Sequence, residues 1–382
     1  MGPRRPVIST GASAADRGAV ARGYLLIAVF YVHALYGVFQ SMGANPAQAM
    51  AAGAQLKLLA PQISAFFFLS GMAAPHLNRK HWLAAIKPSI VLVILAALSH
   101  LGAIAFDLAT TPRWYGWRWL AHIALKPIAV GTGYASFVAW FFVVLAAARL
   151  SAYLMLRARL VLILVLVISG ALIATADWRG WTDNFYEWRN WPTATLFFLI
   201  GMRVAIDRRI PTALGLLALP ATLLVAWLNR PGLFAEGPCF TCELAFVAQP
   251  MVGQYGSFPV YVAEQLLFIT FLLWVSGRTA DTMPGRVAAF FGNESLAMLL
   301  MHGWVLTLLY FPAGRSLPGK ESIFLFVSIL ATVIVVHGFL FFVFKGALRS
   351  VIRFAFRLGG AVTFGIERSL LAFAPRPRGE QK

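Results

Sequence analysis

His33 and His302 are the residues of this 382-residue chain whose type and setting best suit chemistry. Each stands inside an apolar run, where an ionisable group is costly and therefore points to function by default. Arg22 opens the first run, which reads Arg22-Gly-Tyr-Leu-Leu-Ile-Ala-Val-Phe-Tyr-Val-His33. At about 1.5 Å per residue a helix carries His33 ~16 Å beyond Arg22, to about mid-membrane. A neutral imidazole there can accept a proton from an attacking hydroxyl. A guanidinium at the mouth can pair with an anionic cofactor phosphate. The plainer alternative for His33 is a buried ring bonded to a neighbouring helix. A later run reads Phe291-Gly-Asn293-Glu-Ser-Leu-Ala-Met-Leu-Leu-Met-His302. Counted from Asn293, His302 lies ~14 Å deep. The two histidines thus fall at similar depth in two helices that run the same way, and at one level they can line a shared cavity.

Other groups are placed to assist. The second run holds Phe66-Phe-Phe-Leu-Ser70-Gly71-Met72, where Ser-Gly reads first as close helix packing. The following loop carries Arg79, Lys80 and Lys87. It is either a topology signal or a docking surface for the phosphates of coenzyme A. The segments 112–119 and 178–191 are rich in Trp and Tyr. Such rings gather at membrane interfaces; alternatively Trp178, Asp183 and Glu187 form a sugar-binding rim, aromatic faces on sugar C–H and carboxylates on hydroxyls. Cys239 and Cys242 form one Cys-x-x-Cys in the longest outer loop. Without a second pair or a nearby histidine it is a poor zinc site, and no metal is expected. A loop-pinning disulfide or two free thiols are the readings left open.

The elements that must position these groups follow from composition. The chain is 60% hydrophobic and 12% charged, against roughly a quarter charged in soluble domains. There is too little polar surface to cover such a core in water. The expected fold is an all-α polytopic membrane protein with about ten transmembrane helices, at 19–41, 56–75, 89–107, 134–151, 159–176, 192–206, 211–228, 259–277, 294–311 and 321–346. A short N-terminal segment (1–18) precedes this membrane domain (19–346), and a basic tail (347–382) follows it. The formal net charge is +18, but the basic residues cluster between apolar runs, which argues against nucleic acid as partner. With the N-terminus in the cytoplasm, 23 of the 32 Lys and Arg fall on that side and nine on the other. That asymmetry orients the chain with both termini cytoplasmic, and the tail from Lys345 to Arg357 is expected against anionic headgroups.

Four apolar blocks, the three above and Leu196-Phe-Phe-Leu-Ile-Gly201-Met202, resemble the acyltransferase-3 family of membrane O-acyltransferases. Arg22 to His33 is similar to the family's Arg-x10-His helix. Phe66 to Met72 resembles its Phe-Phe-x-x-Ser-Gly stretch, Leu196 to Met202 its Phe-x-x-Gly block, and Asn293 to His302 its Asn-x-Ser-Leu block ending in histidine. The blocks keep family order across residues 17–346. Ala19 stands where the family often has an acid, and Met72 where it usually has an aromatic. The resemblance implies transfer of an acyl group, acetyl or succinyl, from cytoplasmic acyl-CoA to a hydroxyl of a cell-envelope glycan or lipid-linked saccharide, in a bacterial inner membrane. By that resemblance His33 is the catalytic base, Arg22 holds the donor or the helix end, and Ser70, Asn293 and His302 line the tunnel. The other reading carried forward is a transporter or flippase for a polar envelope precursor, which would use the same central residues as a path.

Overall fold

The computed structural model describes residues 14–41, 46–110, 116–179, 181, 183–204, 210–229, 248–310 and 324–373. Among them there is no strand, only an isolated bridge between Gln249 and Gln254. Apolar runs become helices here because a helix satisfies its own backbone donors and acceptors, which lipid cannot do. In chain order the helices are α1 (Ala14–Ser41), α2 (Pro46–Leu59), α3 (Ser64–Met72), α4 (Trp82–Thr110), α5 (Trp117–Val130), α6 (Ala139–Met155), α7 (Arg159–Trp178) and α8 (Asn190–Arg203). They continue as α9 (Thr212–Leu228), α10 (Phe258–Thr279), α11 (Met283–Asn293), α12 (Ser295–Val305) and α13 (Phe324–Phe373). Six stretches among the described residues are long and apolar enough to cross a membrane. The apolar window of α1 is 72% buried and that of α7 only 11%. This makes α1 the central post of the bundle and α7 a helix at its apolar rim.

The structure redraws several sequence boundaries. The expected span 56–75 falls on one continuous apolar stretch, Ala51–Met72, within which α2 tightens through a 3-10 turn at Ala60–Ile63, with Pro61 at its start, before α3 begins. Proline there removes a backbone donor and clashes with the preceding turn of a regular helix. The presumed outer loop 112–119 instead enters α5 at Trp117, an amphipathic helix with no buried residue. The connection before the ninth span contains α11, capped by the Thr282 hydroxyl, which accepts from the Gly285 N–H at 3.4 Å. The N-terminal segment drawn to residue 18 is already helical from Ala14.

The largest correction is at the C-terminal end. The boundary drawn at 346 falls inside α13, one helix of 50 residues. Nothing in 347–373 breaks it, because its one glycine pair faces a neighbour. Ala355, Gly359 and Thr363, spaced by four, are buried on one face. A Cβ on Gly359 would come within 2.7 Å of Val91 on α4. Arg353 and Arg357 point away, exposed.

Two glycine-mediated crossings lock the centre. Gly23 on α1 and Gly292 on α11 are reciprocal: a Cβ on Gly23 would overlap the Ala288 carbonyl, and one on Gly292 the Ala19 carbonyl. Gly71 on α3 and Gly201 on α8 do the same against the Phe198 and Phe68 carbonyls. Small residues of this kind let helix backbones meet where no hydrophobic force drives helices together in lipid. The four sequence blocks therefore pair two by two, the first with the fourth and the second with the third.

Candidate active site

The first of these crossings aligns α1 with the junction of α11 and α12, and so brings two histidines face to face. His33 Nδ1 lies 2.8 Å from His302 Nε2. The row continues onto α13, where His302 Nδ1 lies 3.1 Å from His337 Nε2. His337 Nδ1 is 2.9 Å from the Val333 carbonyl and 3.1 Å from the Tyr310 hydroxyl. Tyr310 ends a π-helical turn, Leu306–Tyr310, that continues α12. Such turns often occur at functional sites because they re-aim a side chain. Phe30, one turn before His33, stacks on His302 at 4.3 Å and on His337 at 4.0 Å. The Phe137 ring meets His33 edge-on at 4.5 Å. The rings are thus held from the side by aromatic faces and end-to-end by hydrogen bonds.

His33 and His302 open onto a cavity of about 300 Å3, also walled by Tyr36, Leu299, Trp140 and Gln249. Its wall is mostly apolar. Phe137, Trp140 and Met251 also line a second cavity of about 420 Å3. That neighbour is bordered by Asp183, Asn184, Glu187, Thr132 and Ser136. A polar antechamber therefore adjoins an apolar chamber with imidazoles in its wall.

The antechamber owes its shape to a buried polar network at the α7–α8 connection. Arg189 is fully buried and pairs with Asp177 at 3.1 Å. Its guanidinium also donates to the carbonyls of Gly253 and Trp181. Glu187 accepts from Asn184 at 2.9 Å and from Asn190 at 2.5 Å. Tyr255 donates to Asn190 at 2.7 Å. Tyr186 and Glu187 have φ of 50° and 54°, left-handed backbone that costs a non-glycine residue on the order of 1–3 kcal/mol. The Tyr186 hydroxyl, donating to the Ala129 carbonyl at 2.8 Å, helps hold that shape. Burial pushes the Glu187 carboxyl up to about 7, against the opposing pull of its bonds from Asn190 and Asn184. Sequence reading gave Arg189 no role beyond a loop charge. A charge among five Trp and Tyr residues looks solvated until the fold closes over it.

The other expected residues are spread out. Arg22 is half-buried, and its Nε donates to the Gly292 carbonyl at 3.4 Å. This ties α1 to the end of α11, where a cation suits the helix dipole. Asn293 is exposed at that helix end, and its neighbour Glu294 pairs with Arg349 of α13. Neither Ser70 nor Asn293 lines the His33 cavity. Ser70 is carried by the α3 turn whose Gly71 crosses α8, so packing accounts for its block. Arg79, Lys80 and Lys87 are exposed around the start of α4. Trp178 is 80% exposed and lines neither cavity, whereas Asp183 and Glu187 both line the polar one. Cys239 and Cys242 lie outside the described residues. His337 is the functional candidate that sequence reading passed over. Its signal was the same as for His33, an imidazole within the apolar run 321–346.

Among the described residues no group of three His, Cys, Asp or Glu side chains is arranged to hold a metal ion. The imidazole nitrogens are turned to one another rather than toward a common point. Comparison with family models, with curated proteins and with solved structures gives no match to this chain.

Proposed function

We propose that this chain is a membrane O-acyltransferase with His33 as its general base. One observation carries the reading: an imidazole stands in the wall of an apolar chamber, next to a chamber lined by hydroxyls and two carboxylates. The apolar side suits an acyl thioester and the polar side an alcohol of saccharide type. The likeness of four ordered sequence blocks to the acyltransferase-3 family supports the same chemistry. His33 takes the proton of the acceptor hydroxyl, and that oxygen attacks the thioester carbonyl. The C–O bond forms, the C–S bond breaks, and the leaving thiolate recovers the proton from His33.

Acyl-CoA is the proposed donor. The exposed Arg79, Lys80 and Lys87 offer cations to its phosphates. A ten-span arrangement is supported by the six long apolar stretches, three shorter apolar helices and α8. The Lys and Arg asymmetry orients both termini to the cytoplasm of a bacterial inner membrane. The acceptor is then a cell-envelope saccharide met at the outer face, beside Asp183 and Glu187.

The test is a His33→Ala variant in a strain whose only copy carries it, read by mass spectrometry of envelope glycans. Loss of an acyl ester from a glycan that is still exported is the expected result. Esters unchanged in that strain would overturn the reading. Loss of the exported glycan itself, with esters on the remainder intact, would favour a transporter.

A further inference from the structure

Nothing in the proposed reaction says which nitrogen of His33 meets the substrate. We infer that the Val333 carbonyl, acting through His337 and His302, sets the tautomer of His33 and leaves its Nε2 lone pair as the base. A carbonyl oxygen can only accept, so the Val333 contact at 2.9 Å requires His337 to carry its proton on Nδ1. A neutral imidazole has one N–H, so His337 Nε2 is then an acceptor. The 3.1 Å bond to it must come from His302 Nδ1–H. That leaves His302 Nε2 as an acceptor, and the 2.8 Å bond to it must come from His33 Nδ1–H. Three neutral rings supply three protons to three bonds. With Val333 at the end of the row, this is the assignment that satisfies all three, and the bond from the His33 ring to the Val29 carbonyl draws on the same Nδ1–H, since Nε2 is then bare. The remaining nitrogen, His33 Nε2, is unprotonated on a ring that lines the apolar cavity.

The row also gives the charge somewhere to go. As the acceptor O–H bond breaks, Nε2 of His33 gains a proton. The Nδ1 proton of His33 can move to His302 Nε2, and the Nδ1 proton of His302 to His337 Nε2. The positive charge then rests on His337, which is bonded to Val333 and Tyr310 and stacked on Phe30. The reverse shift returns a proton from His33 to the leaving thiolate, so protons and charge balance over the cycle. His302 and His337 are positioning residues here, and the acyl-transfer reading is needed only for the activity arm of the test.

Nitrogen-15 spectroscopy of histidine-labelled full-length protein in lipid nanodiscs reads the tautomer directly. The chain has seven histidines, and the His33 signal is identified by its loss in His33→Gln. The expected spectrum shows His33 protonated at Nδ1 and bare at Nε2. His337→Phe keeps a ring against Phe30 but removes the acceptor for His302, so the His33 signal becomes a mixture of tautomers. His337→Gln supplies an amide oxygen to the same N–H and keeps the wild-type His33 signal. In the activity arm His337→Phe lowers kcat by on the order of 10^2-fold or more, with KM for acyl-CoA unchanged, and His337→Gln recovers part of it. A wild-type His33 protonated at Nε2, or a His33 signal indifferent to His337→Phe, overturns the inference; the wild-type spectrum decides alone if the Phe variant does not fold. Spectra as expected from a protein that transfers no acyl group would leave the tautomer row standing and sink the acyltransferase reading instead.

Discussion

Glu187 shows how much a single residue at the polar chamber is asked to bear. It is buried, sits in left-handed backbone, and titrates near 7 rather than at its ordinary 4.5 because burial disfavours its charge. The native state therefore holds a proton over that interval that the unfolded chain has released. Stability contributed at this site is present below about 4.5 and falls as pH rises toward about 7. Over that window we expect a loss on the order of 1–3 kcal/mol. Glu187→Gln, which never ionises, should flatten the slope, as thermal unfolding in detergent across this pH range will measure. A slope that survives the substitution assigns the effect elsewhere. Phe30 makes a second prediction at the same scale. It is fully buried against two of the imidazoles. Phe30→Ala should cost about 3–5 kcal/mol and loosen the ring row, read as a lowered midpoint in the same assay.

At the scale of elements, close helix crossings explain why the sequence blocks look as they do. Gly71 and Gly201 each meet a carbonyl of the other helix. Gly71→Val should push α3 from α8 and destabilise by about 1–3 kcal/mol, and Gly201→Val should do the same. Because both changes open one crossing, the double variant should cost less than their sum, a coupling that a double-mutant cycle in denaturant will detect. Additive losses would show that the two contacts yield independently. The Ser-Gly block was legible in the sequence as a packing signal, and the Phe-x-x-Gly block only as a likeness to a family motif. That they pack on each other was not, because spacing along one helix gives no azimuth relative to another. The same holds for α13. Its polar and basic residues past 346 look like a tail, and only the Ala355–Gly359–Thr363 face against α4 reveals a continuing helix.

For the whole molecule, orientation is the property with the most direct test. In the proposed orientation, drawn from the charge asymmetry, the α3–α4 connection is cytoplasmic and the α7–α8 connection is outside. With Cys239 and Cys242 changed to serine, Lys80→Cys should react with an impermeant thiol reagent only after the cells are opened. Trp181→Cys, 56% exposed as tryptophan, should react in intact cells whose outer envelope has been permeabilised. The opposite pattern would invert the topology and with it the side from which each proposed substrate comes.

What the sequence by itself determined is what depends on position along one helix axis. Apolar runs, their order, and the common depth of His33 and His302 follow from hydropathy and a fixed rise per residue. A shared level needs no knowledge of which helices touch. What only the tertiary structure decided is rotation and partnership. The third imidazole, the carbonyl that ends the row, the crossing of glycine pairs and the burial of Arg189 and Glu187 all depend on which faces meet. Those faces are chosen by steric fit between backbones and by the need of buried polar groups to find one another, and neither is written in the spacing of any single segment.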